Sequence, residues 1–212
     1  WAASRNPHLA AMLESIDQGV GLLTKKLDEL GLAENTIFIF TSDNGGETNV
    51  TSNAPLRGGK SQLYEGGIRV PAMISWPGKL PAGEVRSQMA TACDWMPTIA
   101  DLAGVERPAR KLDGRSIAKM IQSSEADSPH KQFHWQSGGG RNPQWAVRDG
   151  DWKLIGNPRD TSNKAPIGKG DARFLVNLAD DVSEMKNQAG DNPEIVSRLE
   201  KLHDAWVKNA SK

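Results

Sequence analysis

Two short segments of this sequence carry residue types that could do chemistry together. Ser42-Asp43-Asn44-Gly45-Gly46 sets a carboxylate beside an amide carbonyl, hard oxygen donors of the kind that calcium or magnesium takes. Calcium takes about six to eight oxygens, so Asp43 and Asn44 would be part of a ligand set completed from elsewhere. Pro55-Leu56-Arg57-Gly58-Gly59-Lys60 places an ammonium directly after two glycines. There the backbone can come close to an anion while Lys60 acts as a point charge. It is not a P-loop, because the spacing Gly-x-x-x-x-Gly-Lys-Ser/Thr fails at Gly58-Gly59-Lys60-Ser61. A plainer reading stands beside each segment. An Asp-Asn-Gly turn can simply cap a strand, and Arg57 and Lys60 can be solvated loop charges.

The elements around these segments read as α/β. Leu13, Ile16, Val20, Leu23, Leu27 and Leu30 recur at steps of three and four, which predicts an amphipathic helix over residues 12–30 with Gly31 as its left-handed stop. Thr36-Ile37-Phe38-Ile39-Phe40-Thr41 is continuously apolar, β-branched or aromatic, the pattern of a strand buried on both faces of a parallel sheet. Asp43 and Asn44 would then stand at its carboxyl end, where ligands collect in open α/β sheets. Neighbouring side chains on a strand point to opposite faces, so the two can converge only where the chain turns, and Gly45-Gly46 permits that turn. A second buried strand is expected over residues 70–76, ended by Pro77-Gly78. A helix follows over residues 94–103, closed by Gly104.

Beyond a polar stretch at residues 123–131 the pattern changes to short strands. Candidates are residues 133–136, 145–148, 152–155 and 173–178, with Asp149-Gly150 as a hairpin signal between the second and third. Asn192-Pro193-Glu194 opens a last helix with Ile195, Leu199, Leu202 and Trp206 along one side. Two regions result: 1–122, the α/β part, and 123–212, a small antiparallel sheet with a terminal helix packed on it.

Composition narrows the class. Lysine plus arginine equals aspartate plus glutamate, 26 each, so no bulk charge draws the chain to nucleic acid or to a membrane surface. One cysteine, Cys93, excludes an internal disulfide framework and a cysteine zinc cluster. A parallel sheet covered on both faces needs more strands than the two offered before residue 105. The chain also opens almost directly on a helix, so further strands of the same sheet are expected upstream of Trp1.

The motifs, taken in order, resemble one family. The helix from Ala10-Ala11-Met12-Leu13-Glu14-Ser15-Ile16-Asp17 through Leu30-Gly31-Leu32 looks like the segment that precedes the late metal ligands of the formylglycine-dependent sulfatases. Ser42-Asp43-Asn44-Gly45-Gly46 matches their metal motif. Pro55-Leu56-Arg57-Gly58-Gly59-Lys60 with Leu63-Tyr64-Glu65-Gly66-Gly67-Ile68-Arg69-Val70-Pro71 matches their second signature. Trp76-Pro77-Gly78, Asp94-Trp95-Met96-Pro97-Thr98 and Arg148-Asp149-Gly150-Asp151-Trp152-Lys153-Leu154 follow in the same order. The resemblance is to the C-terminal half, and to arylsulfatase-like and N-acetylgalactosamine-6-sulfatase-like members in particular.

That resemblance implies an alkaline-phosphatase-like (sulfatase) α/β sandwich, incomplete at the N-terminus, with a small C-terminal α+β subdomain. It implies a sulfuric ester hydrolase acting on sulfate esters of carbohydrates or aryl alcohols. Asp43 and Asn44 would be Ca2+ ligands, and Lys60 would contact the sulfate and act as the catalytic residue of this half. Arg57 and His134 would line the substrate site. In the family a formylglycine, made from cysteine in a Cys-x-Pro/Ala-x-Arg motif, attacks sulfur as its hydrate. Thr91-Ala92-Cys93-Asp94-Trp95 is not that motif, so the nucleophile is expected upstream and Cys93 is read as a buried core cysteine. His134 has a second reading, as a structural histidine on a half-buried strand. His130 and His203 read as solvated, and Trp145, Trp152 and Trp206 as core of the tail.

Two rivals remain open. One is a phosphoester or phosphonate hydrolase of the same superfamily, whose metal ligands are often histidines where this chain has Asn44. The other is a truncated scaffold without turnover. The family's habit of export implies a periplasmic or secreted protein. Substrate choice would sit in the variable loops at residues 137–143 and 157–169.

Overall fold

The computed structural model describes residues 6–138, 142–160, 168 and 171–210, and the chain divides into two compact units. One gathers Ser42–Pro71 with Gln132–Lys212 and the first residues of the chain, and the other holds Ala10–Thr41 and Ala72–Lys131. This grouping does not follow the division at residue 122, because the segment carrying the two chemical motifs is assigned with the tail sheet. Residues 139–141, 161–167 and 169 of the two variable loops lie outside the described residues.

The second unit is mostly helical. Helix α1 spans Pro7–Glu29, five residues earlier than the apolar periodicity predicts. Asn6 Oδ1 accepts the Leu9 N–H at 3.1 Å, an N-cap with proline at the first helical position. At the other end Gly31 adopts φ +65. Leu32 N–H donates to Leu27 O and Gly31 N–H to Asp28 O, the paired bonds of a Schellman stop. None of the helix is buried, and Leu13, Ile16 and Leu23 of its expected apolar row are exposed.

Strands β1 (Phe38–Thr41) and β2 (Ala72–Ser75) pair antiparallel, Phe38 opposite Ser75 and Thr41 opposite Ala72. The two strands offered before residue 105 thus run antiparallel to each other, which corrects the expectation of a parallel pair. Strand β1 is half-buried and β2 largely exposed. An apolar run fixes that a strand is covered, not the direction of its partner, and the long connection from Thr41 to Ala72 allows either.

Helix α2 (Glu65–Ile68) precedes β2, and α3 (Trp95–Ala103) ends at Gly104 with φ +67, as its sequence predicts. Beside α3 and α4 (Ala118–Gln122), wholly buried Asp94 accepts the Thr91 N–H at 2.9 Å and the Arg115 N–H at 2.8 Å. His130 Nε2 approaches the same carboxylate at 2.8 and 2.9 Å. His130 is therefore buried against a carboxylate, not solvated, and adds its ring to oxygens that already accept the two backbone N–H groups. Cys93, one residue earlier on the same turn, points outward and is exposed, so the expected core cysteine is also corrected.

The first unit is built on a four-stranded antiparallel meander, β3 (Gln132–Ser137), β4 (Gln144–Asp149), β5 (Trp152–Gly156) and β6 (Arg173–Asn177), in that order. Asp149 pairs with Trp152, so Gly150-Asp151 is the two-residue turn, with Gly150 at φ +60 where a type II′ turn needs glycine. Alternation sorts the side chains to two faces. Trp145, Val147, Leu154 and Leu175 pack under α5 (Pro193–Ala210) through Leu199, with Ile195, Val196 and Leu202 beside it. Ala146, Ile155, Phe174 and Val176 pack on the other face against Leu63 and Tyr64. The sheet thus carries the expected helix on one side and the signature loop on the other. No helix among the described residues is long and apolar enough to cross a membrane.

Candidate functional site

Asp43 and Asn44 lie just past β1, in a stretch that continues through Gly46 into the signature loop. Ser42 Oγ donates to Asn44 O at 2.8 Å and closes the turn that the sequence requires after the strand. The Asp43 side chain is exposed and that of Asn44 half-buried, and neither takes a hydrogen bond from a described residue. Both keep their oxygens open. That suits a hard cation, but no group of three or more histidine, cysteine, aspartate or glutamate side chains gathers around a point among the described residues. The pair fits calcium as part of a ligand set, as its donor count demands.

Lys60 sits at the tip of the second segment. Gln62 N–H donates to Gly59 O at 3.0 Å, and Ser61 takes φ +69, the sign a type II turn asks of its third residue. The turn leaves the Lys60 side chain exposed. Its backbone N–H donates to Gly46 O at 3.1 Å, so the lysine is tied to the turn that bears Asp43 and Asn44. Gly45 N–H donates to Gly67 O at 2.9 Å as a second tie.

Close backbone packing explains the glycines. A Cβ at Gly45 would stand 1.7 Å from Gly66 O, one at Gly66 would stand 2.4 Å from Arg57 O, and one at Gly67 would stand 2.2 Å from Gln62 O. Three backbone segments lie against one another, and only glycine leaves room. The glycines of the metal motif therefore serve close approach rather than a left-handed backbone.

Arg57 is not part of an open site. It is 1% exposed, with Nε 2.6 Å from Asp160 Oδ2 and a guanidinium hydrogen donated to Glu184 O at 2.8 Å. Its guanidinium carbon lies 4.2 Å from the Tyr64 ring centre and 4.8 Å from that of Phe174. Both sequence readings of Arg57, substrate contact and solvated charge, are corrected. A cation in this position is spent internally, holding the loop to the sheet.

His134 is corrected likewise. Its ring stacks on Trp206 at 5.3 Å and lies 6.3 Å from His203, on the face of the sheet that α5 covers. The loop bearing Lys60 covers the opposite face, where Trp135 packs. The structural reading of His134 is the one that holds. His203, read as solvated, is buried with its ring 4.0 Å from Trp145. Burial holds both imidazoles below the ordinary histidine range, and the neighbouring His203 ring lowers His134 further.

A buried ion network escaped the sequence reading. Lys153 on β5 is wholly buried, with Nζ 2.9 Å from Glu65 Oε1 and 2.9 Å from Glu184 Oε1. Burial alone would raise the Glu65 carboxyl. Lys153, by charge and hydrogen bond, together with Arg148 and Arg69, brings it below its ordinary value. Burial wins at Glu184, which is raised in spite of Lys153. The signal was a lysine inside the apolar run Trp152-Lys153-Leu154-Ile155, where a charge demands a partner.

Comparison with known proteins agrees with this architecture. A family model described as "Sulfatase" matches residues 5–105, and one described as "N-sulphoglucosamine sulphohydrolase, C-terminal" matches residues 59–210. A sulfatase from Formosa agariphila is 34% identical over 94% of this chain and 39% of its own length. Mouse steryl-sulfatase is 37% identical over 74% of this chain and 26% of its own. Among solved structures, Ps i-CgsB in complex with k-i-k-neocarrahexaose superposes with a TM-score of 0.78 at 30% identity, over 93% of this chain and 42% of that one. The chain thus spans less than half the length of these relatives, and its fold is the α/β, alkaline-phosphatase-like fold of the sulfatases with the antiparallel C-terminal subdomain. By its sequence motifs and its fold, the chain belongs to the sulfatase family and represents that family's C-terminal half.

Proposed function

We propose that this chain supplies the late half of a sulfate-ester hydrolysis site, with Asp43 and Asn44 as calcium ligands and Lys60 as the cation that meets the sulfuryl group. The observation that carries it is the tie between the two segments, Lys60 N–H to Gly46 O and Gly45 N–H to Gly67 O. The open oxygens and the exposed ammonium thus belong to one hydrogen-bonded assembly.

A bound calcium ion would supply Lewis-acid charge stabilisation at the sulfuryl oxygens. Asp43 would hold it through its carboxylate and Asn44 through its amide oxygen, and the remaining ligands and the formylglycine would come from outside these 212 residues. Lys60 would orient the sulfate ester and offset the negative charge that builds on its oxygens as the ester bond breaks. As an ammonium it can also pass a proton to the departing alcohol oxygen. The solved relative bound to a neocarrahexaose supports a carbohydrate as the alcohol part.

The test is Asp43→Ala in the intact enzyme, assayed on an aryl sulfate and by calcium calorimetry. Loss of both turnover and calcium binding, with the melting temperature kept, is expected, because the change removes an exposed ligand and no core packing. Full activity in that variant would overturn the metal assignment. An enzyme that cleaves aryl phosphate and leaves aryl sulfate intact would overturn the substrate class. These 212 residues by themselves should bind calcium weakly and show no turnover.

A further inference from the structure

Between the two chemical segments lies Asn53, half-buried, whose side chain is fully engaged. Its Oδ1 accepts the Gly46 N–H at 2.9 Å, and its Nδ2 donates to Gly46 O at 2.8 Å and to Gly58 O at 3.0 Å. The orientation of the amide is fixed by these partners, since the reversed one would set oxygen against two carbonyls. Gly46 stands two residues after Asn44 and Gly58 two before Lys60. Gly46 O also accepts the Lys60 N–H, so one carbonyl is shared by the lysine and the asparagine. The fit is close: a Cβ on Gly46 would lie 2.8 Å from Asn53 Oδ1, and one on Gly59 would lie 2.9 Å from Asn53 Nδ2.

We infer that Asn53 is a positioning residue of the site: its carboxamide sets the spacing between the Asp43-Asn44 turn and Lys60 and touches neither substrate nor metal. The inference rests on the function proposed above. An alanine would leave the Gly46 N–H and Gly58 O to water and would take from Gly46 O one of its two donors. An aspartate keeps the shape and the acceptor for Gly46 N–H, but it turns two attractive contacts into oxygen–oxygen repulsion.

The experiment compares wild type, Asn53→Asp, Asn53→Ala and Lys60→Ala, with the two Asn53 changes also made on Lys60→Ala, all in the intact enzyme. Supporting side chains behind a metal centre are typically worth about 10–100-fold in affinity or activity. We expect Asn53→Asp to lower kcat on an aryl sulfate and the calcium affinity within that range while the melting temperature holds. On the Lys60→Ala background the same change should cost far less, because the lysine it positions is already gone. The Lys60 amide should exchange faster in Asn53→Asp, and the Gly46 amide only in Asn53→Ala. Equal losses of activity on both backgrounds would reduce Asn53 to loop stability and overturn the proposal, as would unchanged Lys60 exchange. If wild type shows no sulfatase turnover, the proposed function falls, while the exchange rates still decide whether Asn53 sets the spacing.

Discussion

Lys153, wholly buried in β5, donates a 2.9 Å hydrogen bond to Glu65 Oε1, a residue 88 positions earlier in the signature loop. The pair joins the loop that presents Lys60 to the sheet of the tail. Arg57 makes a parallel tie to Asp160 at the other end of the same loop. The exposed lysine between them is thus carried on a segment anchored on both sides by buried ion pairs.

Removing the lysine should therefore be costly. Lys153→Met leaves Glu65 and Glu184 buried without their cation, and breaking a buried pair from one side costs about 3–5 kcal/mol. Urea unfolding should show that loss as a lower midpoint with an unchanged slope. A loss below about 1 kcal/mol would mean that water reaches the carboxylates and the anchor is weak.

Glu184 sets a pH dependence of its own. Burial raises its carboxyl above the ordinary 4.5, so between pH 4.5 and that raised value the folded protein binds more proton there than the unfolded chain does. That contribution to stability is present below pH 4.5 and is lost as the pH rises through the raised value. Glu184→Gln, which keeps an acceptor for the Glu65 N–H, should flatten the decline above pH 4.5 in a series of thermal melts. Glu65, held low by Lys153, acts in the opposite direction and should weaken the fold as the pH falls below 4.5. A decline above pH 4.5 that persists in Glu184→Gln would assign it to another group.

Local signals carried most of the elements, and distant ones hid most of the errors. Gly31 and Gly104 were readable as helix stops, because a left-handed residue after an apolar row is a feature of a few neighbouring residues. The start of α1 lies before the apolar row, because the Asn6 cap and Pro7 set it and not the periodicity. Arg57 looked like a loop charge because the carboxylate that buries it lies 103 residues away. The burial of His130 and His203 has the same distant origin, being decided by Asp94 and Trp145. Asp43, Asn44 and Lys60 remain the exposed or half-exposed members of the candidate site. What the sequence could not express is Asn53, whose importance lies in which backbone atoms it meets.

Tyr64 offers a change that should do no harm. Its hydroxyl is buried with no hydrogen-bond partner among the described residues, and burial pushes its ionisation well up. The ring does the useful work, under Arg57 and edge-on to Phe174 at 5.4 Å. Tyr64→Phe keeps both contacts and removes an unsatisfied polar group, worth about 1–3 kcal/mol when left unpaired. Its melting temperature should match or exceed that of wild type, and a clear drop would reveal a buried water bound to the hydroxyl.

Acid should loosen α5 before it unfolds the sheet. His203 and His134 are both held below the ordinary 6.5, chiefly by burial, and each has an Nδ1 that is buried without a partner. A base lowered in the folded state contributes stability that is present above pH 6.5 and is lost as the pH falls through the lowered value. Asp149 acts on His134 and Asp204 on His203 in the opposite sense, while Arg173 lowers His203 further. Because the rings stack on Trp206 and Trp145, protonation drives charge into the aromatic contact between helix and sheet. Tryptophan fluorescence should shift below pH 6.5 while far-ultraviolet circular dichroism holds. His203→Phe, which keeps a ring on Trp145 and cannot take the proton, should move that transition to lower pH. If the variant shifts at the same pH as wild type, the docking of α5 is governed by another group.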